Sequence, residues 1–374
     1  MQRVMVCSIA RNEANRIHEW FASIKEADTI VLLDTGSTDN TVAIANELAK
    51  KHADFRVLSV PFADPAPYDL MRSMSFAQAE PEDFVMWLDI DERFVSNHDS
   101  CSWVDEVRSL PPEVNALNVR LVFDSTGELN YFQQKGCRAG THYWKYSVHE
   151  VLTPYGQSWC AQANFWTQHV REAGKAYRDN QFALLERDLR LYPRDPRVLF
   201  YLVRQHAYNL LAMIRDDEYT TDAICNQYRE VVAPLFSQLM EVNTSDYAAF
   251  AAIEVSRAIQ SVGRLAQESV RMAMIAHTLR PDRPETFGQL GQALYFNRDD
   301  LAAISFNLHC LECHTDSNFM FDESSSYKAA AVGFVVESCV ALSMTDKALF
   351  YAHKYNRTDL VERLGLNLVG TPVA

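Results

Sequence analysis

Short apolar runs separated by amphipathic stretches open the chain. Residues 4–9, 29–34, 56–60 and 84–89 are rich in Val, Ile and Leu, as strands buried on both faces are. Between the first two runs, Ile17, Trp20, Phe21 and Ile24 fall at i, i+3, i+4 and i+7, one apolar helical stripe. Residues 42–48 and 70–79 repeat that pattern, and residues 116–123 give a later, more amphipathic strand. Strand–helix alternation predicts an α/β unit built on a mostly parallel, doubly wound sheet.

From about residue 178 the strand signals stop. Residues 181–191 and 197–213 read as long helices, broken by Tyr192-Pro193-Arg194-Asp195-Pro196 with proline placed to start the second. Gly263-Arg264 returns as Asn297-Arg298, and Asp282 as Asp316, at the spacing of tetratricopeptide helix-turn-helix repeats. A third unit is expected over 328–355, after the polar insertion Asp322-Glu323-Ser324-Ser325-Ser326. Two domains follow: α/β over 1–178 and an all-α, repeat-like domain over 179–374.

Composition narrows the classes. With 374 residues, 48% hydrophobic, and a net charge of −14, the chain has room for more than one core. Acidic residues exceed basic ones in both halves, which argues against a nucleic-acid clamp or an anionic membrane surface. The opening residues are too short and strand-like for a secretion signal. The apolar run 329–336 stops at Glu337, far short of a membrane span. Eight scattered cysteines suit reduced thiols, so a cytoplasmic protein is expected. Cys310-Leu311-Glu312-Cys313-His314 has the spacing of a haem-attachment site or half a zinc site. It lies in a predicted repeat helix with no second cysteine pair, and reads as packed cysteines.

The candidate chemistry sits at strand ends. Phe84-Val85-Met86-Trp87-Leu88 runs into Asp89 and Asp91, spaced i, i+2. In a strand both would face one side. At the carboxyl edge of an open α/β sheet they are two hard oxygen ligands where such sheets bind ligands, suited to a divalent cation carrying substrate phosphates. Two other strand ends are polar: Ala10-Arg11-Asn12-Glu13, and Asp34-Thr35-Gly36-Ser37-Thr38-Asp39-Asn40-Thr41. Gly36 permits a tight turn, and Asp39 or Ser37 can cap the next helix. Asp34 and Glu13 are candidate partners for the base and ribose of a nucleotide.

These three motifs, in this order and spacing, resemble the family 2 glycosyltransferases of GT-A fold, over roughly residues 1–175. The resemblance implies a nucleotide-sugar donor, usually a UDP-sugar. Ala10, Arg11, Asn12, Glu13, Asp34, Gly36 and Asp39 would surround it, with Asp34 near the base. Asp89 would lie near the ribose or metal, and Asp91 would be the main Mn²⁺ or Mg²⁺ ligand. Relatives carry an Arg-Asn pair in the helix before the metal motif. Here it is Arg72-Ser73, so Arg72 is expected at the donor and the Asn function is missing or moved. Relatives also show His-Glu followed some twenty residues later by a lone His. That pattern implies Glu150, of Val148-His149-Glu150, as the base and His169 as a third metal ligand, with His149 able to exchange roles with His169. Asp105, Glu106 and Asp124 compete less well for the base. Inversion at the sugar carbon comes with the resemblance.

The acceptor is open. A repeat-like tail suggests a peptide or protein, and in some relatives such tails also serve dimerisation. Modified bases of DNA, lipopolysaccharide or another glycan, and small metabolites are alternatives. Arg187, Arg190, Arg194 and Arg197 would support a nucleic-acid acceptor only if they face the cleft. The rival class is a non-catalytic nucleotide-sugar fold carrying a scaffold of repeats.

Overall fold

The computed structural model describes residues 2–97, 102–123, 130–170, 181–216, 218–242, 246–314 and 323–365. The chain divides into two units, Met1–Asp188 and Leu189–Ala374. The domain boundary expected at 178/179 lies outside the described residues, as do Asp124, Asp316 and Asp322.

In the first unit β1 (Arg3–Ala10), α1 (Ile17–Ile24), β2 (Thr29–Asp34), α2 (Thr41–Ala49), β3 (Phe55–Ser59), α3 (Tyr68–Phe76) and β4 (Asp83–Trp87) alternate as the apolar pattern predicts. They are followed by β5 (Glu92–Val95), α4 (Trp103–Arg108), β6 (Ala116–Val122), β7 (Asn130–Arg138), β8 (His142–Lys145), β9 (Val151–Pro154) and β10 (Cys160–His169). Eight strands form one sheet in the order β3-β2-β1-β4-β7-β6-β10-β5, and β8 pairs with β9 alone. The first four neighbours are parallel. Beyond them the sheet is mixed, because β7 runs antiparallel to β4 and β6, and β5 antiparallel to β10.

Side-chain alternation makes the sheet two-faced. Val4, Val6, Ile30, Leu32, Phe84 and Met86 pack with Trp20, Ala45 and Trp103 from α1, α2 and α4. Met5, Cys7, Val31 and Val85 point the other way, against Phe76 of α3. Helices on both faces explain why these strands are apolar throughout. Two local departures position the site. The strand expected over 84–89 ends at Trp87, because Leu88 N–H makes the last bond to Cys7 O (3.1 Å) and Glu92 N–H then closes a turn on Asp89 O (3.0 Å). In β7, Gly136 pairs with Leu117 but Gln134 pairs with Asn118, which leaves Lys135 as the extra residue of a β-bulge.

The second unit is helical among the described residues. α5 (Phe182–Leu191) crosses the division, and α6 (Pro196–Arg215) begins with Pro196 at its first turn and Asp195 accepting the Arg197 and Val198 amides. Then come α7 (Thr221–Gln227), α8 (Ala233–Val242), α9 (Asp246–Ile259), α10 (Ala266–Leu279), α11 (Pro284–Phe296), α12 (Asp300–Glu312), α13 (Ser324–Ala341), α14 (Thr345–Lys354) and α15 (Thr358–Arg363). Helices α9 with α10, α11 with α12 and α13 with α14 pack as successive pairs. Gly263-Arg264 and Asn297-Arg298 both fall in the turns inside these pairs, as the repeat spacing predicts. Helices α11, α13 and α14 end alike: Arg298, Ser343 and Asn356 take left-handed φ. The next amide in each case bonds back five residues (Asp299 to Leu294 O, Met344 to Cys339 O, Arg357 to Ala352 O), a Schellman closure without glycine. No described helix is long and apolar enough to cross a membrane.

Candidate active site

The carboxyl ends of β1, β2 and β4 open into one cleft of about 840 Å³. Its lining includes Ala10, Arg11, Glu13, Arg16, Arg72, Asp89, Asp91, His149, Glu150 and His169. An adjoining recess of about 430 Å³ adds Asn12, Pro65 and Leu184, and shares Arg11, Asp64, Ala66, Tyr68 and Gln181 with the cleft.

The first two motifs are sewn together. Thr35 N–H donates to Ala10 O (2.9 Å), Asn12 N–H to Ser37 Oγ (2.9 Å), Thr38 N–H to Asn12 Oδ1 (2.7 Å) and Glu13 N–H to Thr41 Oγ1 (2.7 Å). Asn12 adopts φ +59° to do this, a conformation asparagine tolerates, and Gly36 takes φ +109°, which favours glycine. Asp34 is buried and accepts the Gly36 and Ser37 amides at 3.1–3.2 Å. Asp39 accepts the Thr41 amide (2.9 Å) and hydroxyl, and the Ala14 amide (3.2 Å). Partial burial pushes the Asp39 carboxyl up, but these donors outweigh it and hold it below the usual carboxylate range. Asp34, Gly36 and Asp39 therefore shape the loops and do not line the cleft, whereas Ala10, Arg11 and Glu13 do.

The metal motif divides its two carboxylates. Asp89 and Asp91 fall in the turn after β4 instead of in the strand; both line the cleft, with different partners. Asp89 Oδ1 accepts Arg72 Nη2 (2.9 Å). Asp91 Oδ2 lies 3.5 Å from His169 Nε2 and 3.9 Å from Arg16 Nη1. The antiparallel register brings His169 there by pairing it with Glu92, next to Asp91. Among the described residues no three His, Cys, Asp or Glu side chains converge as a cation cage. His169 Nδ1 is buried without a hydrogen-bond partner, so its ring is held by packing, with Phe123 at 5.4 Å between centroids. The carboxylate oxygen suits Mn²⁺ or Mg²⁺, and the imidazole nitrogen beside it favours the transition metal, Mn²⁺, as part of a ligand set. Asp89, engaged by Arg72, does not add to it in this arrangement.

Glu150 Oε1 accepts Arg72 Nε at 2.6 Å. Arg72 is buried, which works against its charge, yet the Asp89 and Glu150 carboxylates more than offset this and push its pKa up. His149, at φ +54°, sets its Nε2 3.2 Å from Gln181 Oε1. Asp105 and Glu106 lie on α4 and do not line the cleft. Arg187 bonds Asp69 (3.3 Å) and the Ser147 hydroxyl, while Arg197 bonds the Tyr247 hydroxyl (3.2 Å). Those two arginines are engaged within their own units.

Sequence reasoning missed three residues. Arg16 reaches both Glu13 (3.3 Å) and Asp91, with no pattern to announce it. Lys135 and Glu92 form a buried ion pair (2.6 and 2.9 Å), and Glu92 Oε2 also accepts the Asp89 amide (3.0 Å). Burial pushes the Glu92 carboxyl up, opposed by Lys135. An acid directly after Asp-x-Asp, and a lone lysine within an otherwise uncharged strand segment, were the available signals.

Comparison with known proteins agrees with this architecture. Residues 5–168 match the family model described as "Glycosyl transferase family 2". A "TPR repeat-containing protein" of Synechococcus elongatus is 32% identical over 134 residues, 35% of this chain, so the match spans 30% of that relative's length. Among solved structures, the mannosyltransferase PcManGT from Pyrobaculum calidifontis, in complex with GDP-Man and Mn²⁺, overlays with TM-score 0.34 and 15% identity, covering 82% of this chain and 87% of its own. GalNAc-T7 with UDP, GalNAc and Mn²⁺ gives TM-score 0.35 and 9% identity over 64% and 57%. Overlays this loose add nothing to the assignment, which rests on the family match alone: residues 5–168 carry a glycosyltransferase family 2 domain.

Proposed function

We propose that this chain is a metal-dependent glycosyltransferase, moving a sugar from a nucleoside-diphosphate sugar, with UDP-sugars first, to an acceptor. The observation that carries the reading is the cleft itself, where Asp91 meets His169 and Arg72 joins Asp89 to Glu150. Its lining holds five carboxylates (Glu13, Asp64, Asp89, Asp91, Glu150) against three arginines. A donor diphosphate entering such a site needs an accompanying cation. Asp91 and His169 would hold it. Bound there, Mn²⁺ or Mg²⁺ would neutralise charge developing on the leaving diphosphate.

The chain's own groups supply the rest. Arg11, Arg16 and Glu13 border the donor space. Glu150, largely buried with one oxygen on Arg72, faces the cleft as the base that takes a proton from the acceptor hydroxyl. A peptide or protein acceptor suits the helical unit, since stacked helix pairs commonly bind extended chains. The net charge of −14 disfavours nucleic acid.

The test is release of nucleoside diphosphate from UDP-glucose, UDP-galactose and UDP-N-acetylglucosamine, with and without Mn²⁺. Release that needs metal, and falls by about 100-fold or more in Glu150→Gln, supports the proposal. No release from any donor, or full activity in Glu150→Gln, contradicts it.

A further inference from the structure

Arg72 is only 5% exposed, while the carboxylates it holds, Asp89 and Glu150, are 36% and 13% exposed. All three line the cleft, and the cation is the most buried of them. Different nitrogens serve the two: Nε donates to Glu150 Oε1 at 2.6 Å and Nη2 to Asp89 Oδ1 at 2.9 Å. No other described residue donates to either carboxylate. A guanidinium is a rigid planar fork, so it fixes the angle between its partners as well as their distance. The three residues come from α3, the turn after β4 and the segment before β9. Tyr68 N–H to Ser147 O (2.8 Å), and Arg187 between Asp69 and Ser147, also join α3 to the last segment, but of these links only Arg72 includes Asp89.

The support beneath Arg72 is aromatic and cationic. Its guanidinium carbon lies 4.3 Å from the centre of the Trp87 ring and 5.1 Å from that of Trp144. The same Trp87 ring takes Lys135 Nζ at 3.5 Å, and its Nε1–H donates to Gln134 O (2.8 Å). Lys135 reaches this position because it is the bulge residue of β7. It then holds Glu92, whose other role is to accept the Asp89 amide. Asp89 is thus fixed twice, by its side chain through Arg72 and by its backbone through Glu92. Both fixings rest on Trp87.

We propose that Arg72 is a positioning residue: braced on Trp87, it locks the base Glu150 to the donor-side carboxylate Asp89, so that the two halves of the site keep one geometry. This rests on the glycosyltransferase reading for its function, and it differs from a direct donor contact. Of the charged and titratable groups around Glu150, Arg72 touches it; Asp89, His149, Asp91 and His169 share the cleft.

Measurements on the full chain decide it. In crystals of metal-free, nucleotide-free Arg72→Gln protein, the Glu150 and Asp89 carboxylates should leave the positions they share around the guanidinium in the parent. Carboxylates that stay in place overturn the proposal. Affinity for UDP with Mn²⁺ should change by less than about threefold, and a tenfold loss, about 1.4 kcal/mol, would make Arg72 a donor contact instead. Arg72→Lys keeps the buried charge and so protects the fold. It should still lose about 100-fold in turnover of the UDP-sugar at unchanged UDP affinity, because a point charge cannot hold two carboxylates in a fork. Parental turnover in that variant overturns the proposal. A parent that neither binds UDP nor releases it from UDP-sugars refutes the glycosyltransferase reading, and the carboxylate positions in Arg72→Gln still decide the role of Arg72.

Discussion

Lys135 is fully buried, and its ammonium donates to both oxygens of Glu92. Removing one partner of such a pair leaves the other charge uncompensated in a low-dielectric interior. Lys135→Met should therefore cost about 3–5 kcal/mol, read by urea denaturation. Adding Glu92→Leu should recover much of that loss, because replacing both ions by apolar groups is close to neutral. A single variant with parental stability would show that the pair does not hold the turn. At this scale the sequence marked chemistry better than roles. Asp91, Glu150 and His169 were visible as candidates and line one cleft. Asp34 was equally visible, yet its carboxylate faces the Gly36 and Ser37 amides. An aspartate at a strand end looks the same whether it serves a ligand or its own turn, because both uses need an acceptor beside free amides.

The elements were most legible where periodicity is strong. The four parallel strands and the helices between them follow from apolar runs and i, i+3, i+4 stripes. Strands β5 and β7 to β10 were not foreseen: β5, β8 and β9 are four residues each, β7 and β10 mix polar with apolar residues, and β5, β7 and β10 pair with strands distant in sequence. Strand β7 shows the cost of that distance. Its Gly136 pairs with both Met86 and Leu117 at the centre of the sheet, and an added Cβ would stand 2.8 Å from Phe84 Cε1 and 3.1 Å from Val85 O, with Met86 Sδ closer still. Gly136→Ala should lower stability by about 1–3 kcal/mol, seen as a lower urea midpoint at unchanged slope. An unaltered midpoint would mean that β4 and β7 can separate freely. The bulge at Lys135, next in the strand, is likewise set by long-range pairing and has no local signature.

For the whole chain, ionisation links both units to pH. Burial pushes His142 and His277 down, the second helped by His309. Their unfolded forms, near the usual value of about 6.5, then bind protons before the folded forms do. Stability from these groups is present above pH about 6.5 and is lost as pH falls below it. Asp54, paired with Arg56, and Asp282, paired with Arg280, are held below the carboxylate range. Their contribution is present above pH about 4 and is lost below it. Glu92 and Asp188, raised by burial, oppose the fall only in the acidic range. The melting temperature should thus decline from pH 7 to pH 5, and His142→Gln with His277→Gln should flatten that limb. A decline of equal size in the double variant would contradict the assignment.

The central claim is a metal-assisted nucleotide-sugar site built on Asp91 and His169. Its most direct test is the melting temperature against UDP, GDP, CMP and their sugar conjugates, each with and without Mn²⁺. A ligand at 100 times its Kd adds about 2.7 kcal/mol, enough to move the transition by a few degrees. The predicted result is a shift with UDP or a UDP-sugar that requires Mn²⁺ and disappears in Asp91→Ala. No shift with any nucleotide, or a shift of equal size in Asp91→Ala, would contradict it.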